Sequence, residues 1–375
     1  MDYQFSQEQE MFRKSVYDFL QKECPPAMVR NVVEKGEDYP WELYRKMAEL
    51  GWLQLLIPEN YGGMGGNWVD VAIFYEEAGR VLLPSPHFTS AVLGAEAILA
   101  LGNEEQKKRY LHQIASGDLI LTLALSEVEA TSDLKMVTTS AVAQDNTYVI
   151  NGTKLFILDG EYADWFITAA KLGPPDTGIT LFMISKNSVG LRCIPLNSLL
   201  FSGLKLSQVN YEGVNVTREN ILGDIGKGES ITEVVDKGKI ATCAEMVGGA
   251  ERALEMTIEH TGQRQQFDVS ISSFQALQHR MADMALAIEG TRWLIYYVAW
   301  LQSQGLPCAR ERAMAQLQTG ETYEKVAAEA TQMHGGVGIM REHDMTLYYS
   351  RAKATKVILG YPEDIRETIV QSLDI

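Results

Sequence analysis

The chain is poor in cysteine and in positive charge, and each shortage excludes something. Its four cysteines, Cys24, Cys193, Cys243 and Cys308, lie far apart and form no CxxC pair. Reduced, mostly buried thiols are therefore expected rather than a disulfide framework, and no metal site is assigned. Lys plus Arg number 33 against 49 Asp plus Glu, a net charge of −16. A surface that acidic repels polyphosphate, so no nucleic-acid partner is expected. Long apolar runs are also missing. None approaches the ~20 residues needed to span a bilayer, so no membrane partner is expected. The start, MDYQFSQEQEMFRKSV, has no cationic stretch ahead of an apolar one and is too acidic for a transit peptide. The expectation is a cytoplasmic protein.

What is present is an ordinary globular mixture, 46% apolar and 22% charged, over 375 residues. That length exceeds one core, so two or three domains are expected. In SQEQEMFRKSVYDFLQKE the apolar Met11, Phe12, Val16, Phe19 and Leu20 recur at helical spacing, and Ser6 with Gln9 forms a capping-box pattern. Further helical runs follow around VDVAIFYEEAGRVL and NEEQKKRYLHQIASG. From about Leu119 the period changes. LILTLALSE, VTTSAVAQDNTYVINGTKLFI, WFITAAKL and ITLFMISK are rich in β-branched and aromatic residues and are separated by turns. After about Glu229 long helical segments return, with Phe274, Leu277, Met281, Met284, Ile288 and Ile295 on one stripe. The predicted fold class is a multidomain α+β chain. It has an N-terminal all-α domain over 1–118, a middle antiparallel β-barrel or sandwich domain over 119–228, and a C-terminal four-helix-bundle domain over 229–375.

Five landmarks in this order, GWLQLLIPENYGGMGG, ALSEVEATSD, INGTKLFILDGEYAD, RQQFDVSISSFQALQHRMADM and QMHGGVGIMREHDMTLYYSRA, resemble the acyl-CoA dehydrogenase family over essentially the whole length. The resemblance implies an FAD enzyme that removes a proton from Cα and a hydride from Cβ of an acyl-CoA thioester. It implies transfer of the electrons to an electron-transfer flavoprotein, and an oligomer: a homotetramer or dimer, or a hetero-oligomer with a related subunit. By motif position Ser126, Phe156 and Leu158 would meet the flavin ring, with Leu158 replacing a common hydroxyl near N5. Arg264, Phe267, Gln275, Gln332, Gly335 and Gly336 would meet the ADP half of FAD held mainly by a neighbouring subunit. Arginine is a permanent planar cation and paired glycines allow close backbone approach, so the residue types suit a diphosphate. Ser132 and Lys239 would meet the CoA portion.

One family feature is missing. Relatives carry the catalytic glutamate just before the glycine of a late stretch, here RAKATKVILGYP, or on an earlier helix. Those positions are Leu359 and Gly238. Neither accepts a proton, although the backbone N–H groups of Leu359 and Gly360 remain available to a thioester. Glu245 lies two helical turns beyond Gly238, roughly 10 Å away, and is set aside on that distance. Three readings stay open. The base has moved, with His87 in GRVLLPSPHFTSAVLG as the alternative acceptor; a surface histidine after Pro86 is its ordinary reading. The chain is the flavin half-site subunit of a hetero-oligomer. The substrate carries its own leaving group, a carboxylate or sulfinate; this would require a cation at the pocket end, and Arg80 is the arginine in that segment.

Overall fold

The computed structural model describes residues 4–128, 133–173, 178–197, 203–358 and 360–373. Six helices come first: Gln7–Glu23 (α1), Pro26–Lys35 (α2), Trp41–Glu49 (α3), Trp68–Arg80 (α4), Ala95–Leu101 (α5) and Glu104–Ser116 (α6). The expected capping box on α1 forms, with Gln9 N–H bonded to Ser6 Oγ at 3.1 Å and Ser6 N–H to Gln9 Oε1 at 3.2 Å. Between α4 and α5, residues Phe88–Gly94 form a π-helical turn.

The middle of the chain is strand: Leu121–Ala124 (β1), Ser140–Gln144 (β2), Thr147–Leu158 (β3), Trp165–Leu172 (β4), Ile179–Ser185 (β5), Leu191–Leu196 (β6), Leu206–Thr217 (β7) and Ile221–Leu222 (β8). They hydrogen-bond in the order β6-β7-β3-β2-β4-β5-β8, with β1 added beside β4. Most neighbours are antiparallel, but β1 and β2 both run parallel to β4. The sheet curls so that its two wings pack on each other. Ile150, Val209 and Val214 of one wing share a core with Phe166, Ala170 and Ile184 of the other, and Thr168 Oγ1 meets Tyr211 OH at 2.8 Å across it. That is the sandwich expected from the alternating pattern.

Long helices close the chain: Ile231–Gln263 (α7), Gln275–Ser303 (α8), Ala309–His334 (α9), Met345–Thr355 (α10) and Pro362–Gln371 (α11), with a small hairpin of Gln265–Gln266 (β9) and Val269–Ser270 (β10) after α7. No helix among the described residues is long and apolar enough to cross a membrane.

The N-terminal helices pack closely against the C-terminal ones. Helix α4 is buried along almost its whole length and lies directly against α7. Two glycines permit this. A Cβ on Gly79 would stand 2.0 Å from the Glu245 carbonyl oxygen, and one on Gly248 would stand 1.8 Å from that of Glu76. Any side chain there would force the two backbones apart. The crossing is held by a buried charge network in which Glu76 accepts from Arg13 (2.9 Å), Arg292 (3.0 Å) and Tyr296 (2.6 Å), tying α1, α4 and α8 together. This close contact sets the pocket described next.

Candidate active site

Where α4, the π turn, the end of β3, α7 and α10 converge, the chain encloses a pocket of about 560 Å³, part of it open to solvent. Its walls are largely apolar, with Ala78, Leu83, Phe88, Leu158, Leu204 and Ile358 among them. The polar groups that face it are Tyr75, Ser85, His87, Thr89, Asp159, Thr242, Glu245, Arg351 and Thr355.

The register of β3 positions its end. Lys154 pairs with Val209 but Ile157 pairs with Ser207, so β3 carries an extra residue there. This bulge is accompanied by φ +58° at Phe156, whose ring is 54% exposed. Leu158 turns into the pocket, and its carbonyl accepts from Thr122 Oγ1 at 2.7 Å. Asp159, with φ +55°, is fully inside. Its carboxylate accepts from Tyr39 OH at 2.6 Å and Thr89 Oγ1 at 2.7 Å. Burial outweighs those bonds and raises the Asp159 carboxyl to about 6.

His87 is not on the surface. It is 2% exposed, stacked on Phe74, with Nε2 3.0 Å from the Trp52 carbonyl oxygen and Nδ1 2.7 Å from Tyr75 OH. A carbonyl only accepts, so Nε2 carries the proton and Nδ1 takes the Tyr75 hydroxyl hydrogen. Both ring nitrogens are thus engaged, and burial pulls the imidazole down to about 4. His87 reaches the pocket as a neutral, fully bonded group.

The two positions where relatives carry a glutamate differ. Leu359 lies outside the described residues, as does Ser132; Ile358 lines the pocket, while Gly360 adopts φ +136°. Gly238 is overlain: a Cβ there would meet Leu93 Cδ2 at 2.4 Å. The π turn that carries Leu93 has therefore taken the space that a side chain at Gly238 would need.

Two expectations change. Arg80 is not the pocket cation: its side chain is 13% exposed and ion-paired to Glu255 at 2.6 Å and Glu77 at 3.6 Å. The arginine that lines the pocket is Arg351, the first residue of the late stretch. Glu245, set aside on distance, also lines it. Its two-turn separation from Gly238 does not exclude it, because Leu93 fills the space at Gly238 and the pocket lies elsewhere along α7. Lys239 is ion-paired to Asp236 at 2.7 Å and borders a separate, smaller hollow. No sequence signal identified Asp159 or Arg351, because each owes its place to contacts between distant elements.

The residues expected to hold a flavin fall into two groups. Ser126, Phe156 and Leu158 lie side by side at the β1–β3 edge, where Leu155 N–H bonds the Ser126 carbonyl at 2.9 Å. Beneath them a buried pair fixes the loop: Lys154 Nζ meets Glu127 Oε1 at 2.7 Å and the Leu125 carbonyl at 3.1 Å. Arg264, Phe267 and Gln275 surround the β9–β10 hairpin, and Gln332, Gly335 and Gly336 sit at the adjoining end of α9. The corners touch through His260 and His334, stacked at 4.5 Å. Among the described residues no hydrogen bond or ion pair joins the first group to the second. The donor set fits FAD. The side chains of Arg264 and Gln275 form no hydrogen bond among the described residues, Phe267 is 87% exposed, and a Cβ on Gly335 or Gly336 would meet nothing within 4 Å. An open, uncommitted cationic and amide surface beside glycine backbone is what a diphosphate needs.

Comparison with known proteins agrees with this geometry. Models of the acyl-CoA dehydrogenase N-terminal, middle and C-terminal domains match residues 6–118, 122–214 and 226–373. An acyl-CoA dehydrogenase of Bacillus subtilis (strain 168) is 34% identical over 367 residues, 96% of each chain. The structure of butyryl-CoA dehydrogenase from Megasphaera elsdenii superimposes with a TM-score of 0.94 at 29% identity, covering 100% of both chains. The ChsE4-ChsE5 complex from Mycobacterium tuberculosis contains a chain matched at TM-score 0.89 and 26% identity, covering 100% of this chain and 99% of that one. This chain belongs to the acyl-CoA dehydrogenase family, whose members bind FAD and act on the CH–CH group of acyl-CoA thioesters.

Proposed function

We propose that this chain itself binds an acyl-CoA thioester in the pocket between α4, α7 and α10 and oxidises its Cα–Cβ bond, with Asp159 as proton acceptor. The observation that carries this reading is the buried Asp159 carboxyl. It faces the pocket directly after Leu158, the flavin-side position, and burial raises it to about 6. A base poised near neutral pH is what general-base catalysis favours. FAD, held by Ser126 and Phe156 of one chain and by Arg264, Gln275, Gln332 and the Gly335–Gly336 backbone, would supply the hydride acceptor. Tyr39 and Thr89 orient the Asp159 carboxylate. The electron acceptor implied by family resemblance is an electron-transfer flavoprotein, and the setting is cytoplasmic.

The test is to purify the chain, read its flavin spectrum, and follow bleaching by a panel of acyl-CoA thioesters in wild type and Asp159→Asn. Bleaching by the wild type alone that slows on the order of 10²-fold in the variant is the expected result. A colourless protein would overturn the flavin assignment, and an equally fast Asp159→Asn would overturn the base.

A second reading has its own support. Leu93 fills the space at Gly238, and the ChsE4-ChsE5 structure is a complex of two differently named chains. In that reading a related subunit contributes the working acid–base site, and the isolated chain binds flavin weakly without turnover. Recovery of turnover only on adding a second family member distinguishes it.

A further inference from the structure

Arg351 enters the pocket from α10 with its side chain 2% exposed. Its Nε and Nη1 have no hydrogen-bond partner, and Nη2 has one long bond, 3.4 Å to the Leu82 carbonyl oxygen. Glu245 Oε1 stands 3.5 Å from Nε, near enough for charge attraction but too far for a good hydrogen bond. Among the described residues nothing else donates to the Glu245 carboxylate. Both groups line the same pocket. A buried guanidinium with two idle donor atoms is costly, because those donors left water without replacement. The pocket therefore holds a donor and an acceptor side by side, with their charges cancelled.

We propose that Arg351 and Glu245 form a subsite for a hydroxyl group on the acyl chain, Arg351 donating to its oxygen and Glu245 accepting its hydrogen. The proposal rests on the acyl-CoA reading above and adds the substrate class. A plain hydrocarbon chain would leave the Arg351 donors dry. A carboxylate would satisfy them but would sit beside the Glu245 and Asp159 carboxyls, where like charges repel. A ketone accepts from Arg351 yet offers Glu245 nothing. A hydroxyl completes both partners, and sites built to hydrogen-bond a hydroxyl reject analogues that lack it.

The test is calorimetric binding to the purified chain with the flavin it carries. The probes are straight-chain acyl-CoA thioesters of four to twelve carbons, each unsubstituted or carrying a hydroxyl, keto or carboxyl group at the far end. At one chain length the hydroxylated thioester should bind about tenfold or more tightly than the other three. Arg351→Met should bring it down to the level of the unsubstituted thioester. Glu245→Gln, which keeps the shape but frees the arginine charge, should shift preference to the carboxylated thioester. Flavin retention and melting temperature check that each variant folds, and Glu245→Gln decides the matter if Arg351→Met does not. Equal binding of all four series, or a wild-type preference for the keto or carboxyl series, would overturn the subsite alone. Failure of every thioester to bind, the unsubstituted ones included, would overturn the acyl-CoA reading and the subsite with it.

Discussion

At the scale of single residues, Asp159 and His87 show how burial reverses a reading based on residue type. Histidine is the usual proton acceptor near neutral pH, but here the ring is saturated by Tyr75 and Trp52 and held down to about 4. The aspartate directly after β3 is instead raised to about 6 by burial. Turnover should therefore rise with pH as Asp159 ionises around 6, and Asp159→Asn should remove that limb of the kcat/KM profile. Stability moves the other way for this group. Its folded value lies above the ordinary 3.8, so its contribution is present at low pH and is lost as pH rises from about 4 to about 6. His87→Ala should keep the same pH profile and lose stability by about 2–4 kcal/mol, because it opens a cavity and strips partners from Tyr75 and Trp52. Denaturant titration alongside the profile checks both. A profile that lost its limb in His87→Ala and kept it in Asp159→Asn would restore the histidine as base.

At the scale of elements, the informative contacts are the α4–α7 crossing and the β1–β3 edge. Gly238→Ala would place a Cβ 2.4 Å from Leu93, and overpacking of that kind costs about 1–3 kcal/mol. Adding Leu93→Ala should recover part of that loss, a non-additive pair that urea melts would reveal. At the β1–β3 edge, hydrogen bonds from Lys154, Thr138 and Thr139 lower Glu127 to about 2 despite its burial. A depressed acid contributes stability above its unfolded value and loses it as pH falls from about 4.5 to about 2. Glu127→Gln should flatten that acid limb and also weaken stability at neutral pH, since it leaves the Lys154 ammonium buried without its partner. The strands β1 to β5, the α1 cap and the long bundle helices were legible in the sequence, because each follows from local period and local hydrogen bonding. The parallel placement of β1 and β2 beside β4 was not, since a strand's own pattern does not specify its neighbour.

At the scale of the whole molecule, the two groups of residues expected to meet a flavin sit on different elements, one at β1 and β3 and the other around the β9–β10 hairpin and the end of α9. Resemblance to the family implies that a neighbouring subunit joins them. Large apolar side chains stand out near the second group, with Phe267 87% exposed and Ile339 73% exposed, as expected of a surface that another chain covers. Arg264→Ala should therefore lower flavin retention roughly tenfold or more while leaving the Asp159 pocket folded, because a charge-assisted bond to a phosphate is worth about 1.5–3 kcal/mol. Flavin absorbance per chain after gel filtration, read together with the elution volume, tests this. Full retention of flavin by a monomeric variant would rule the placement out.

The sequence by itself determined the order of helical, strand and helical segments and the family, and it supplied the motif positions at which flavin contacts are expected. These rest on short-range periodicity and on residue types whose chemistry does not depend on their surroundings. It also showed that Leu359 and Gly238 carry no base. Only the tertiary structure decided which polar groups share the pocket: Arg351 in place of Arg80, Glu245 despite its distance along the helix, and Asp159 beside a saturated His87. Which distant side chains meet, and how far burial shifts their ionisation, depends on how closely two helix backbones can approach. Here Gly79 and Gly248 allow that approach, and no local pattern encodes its consequence.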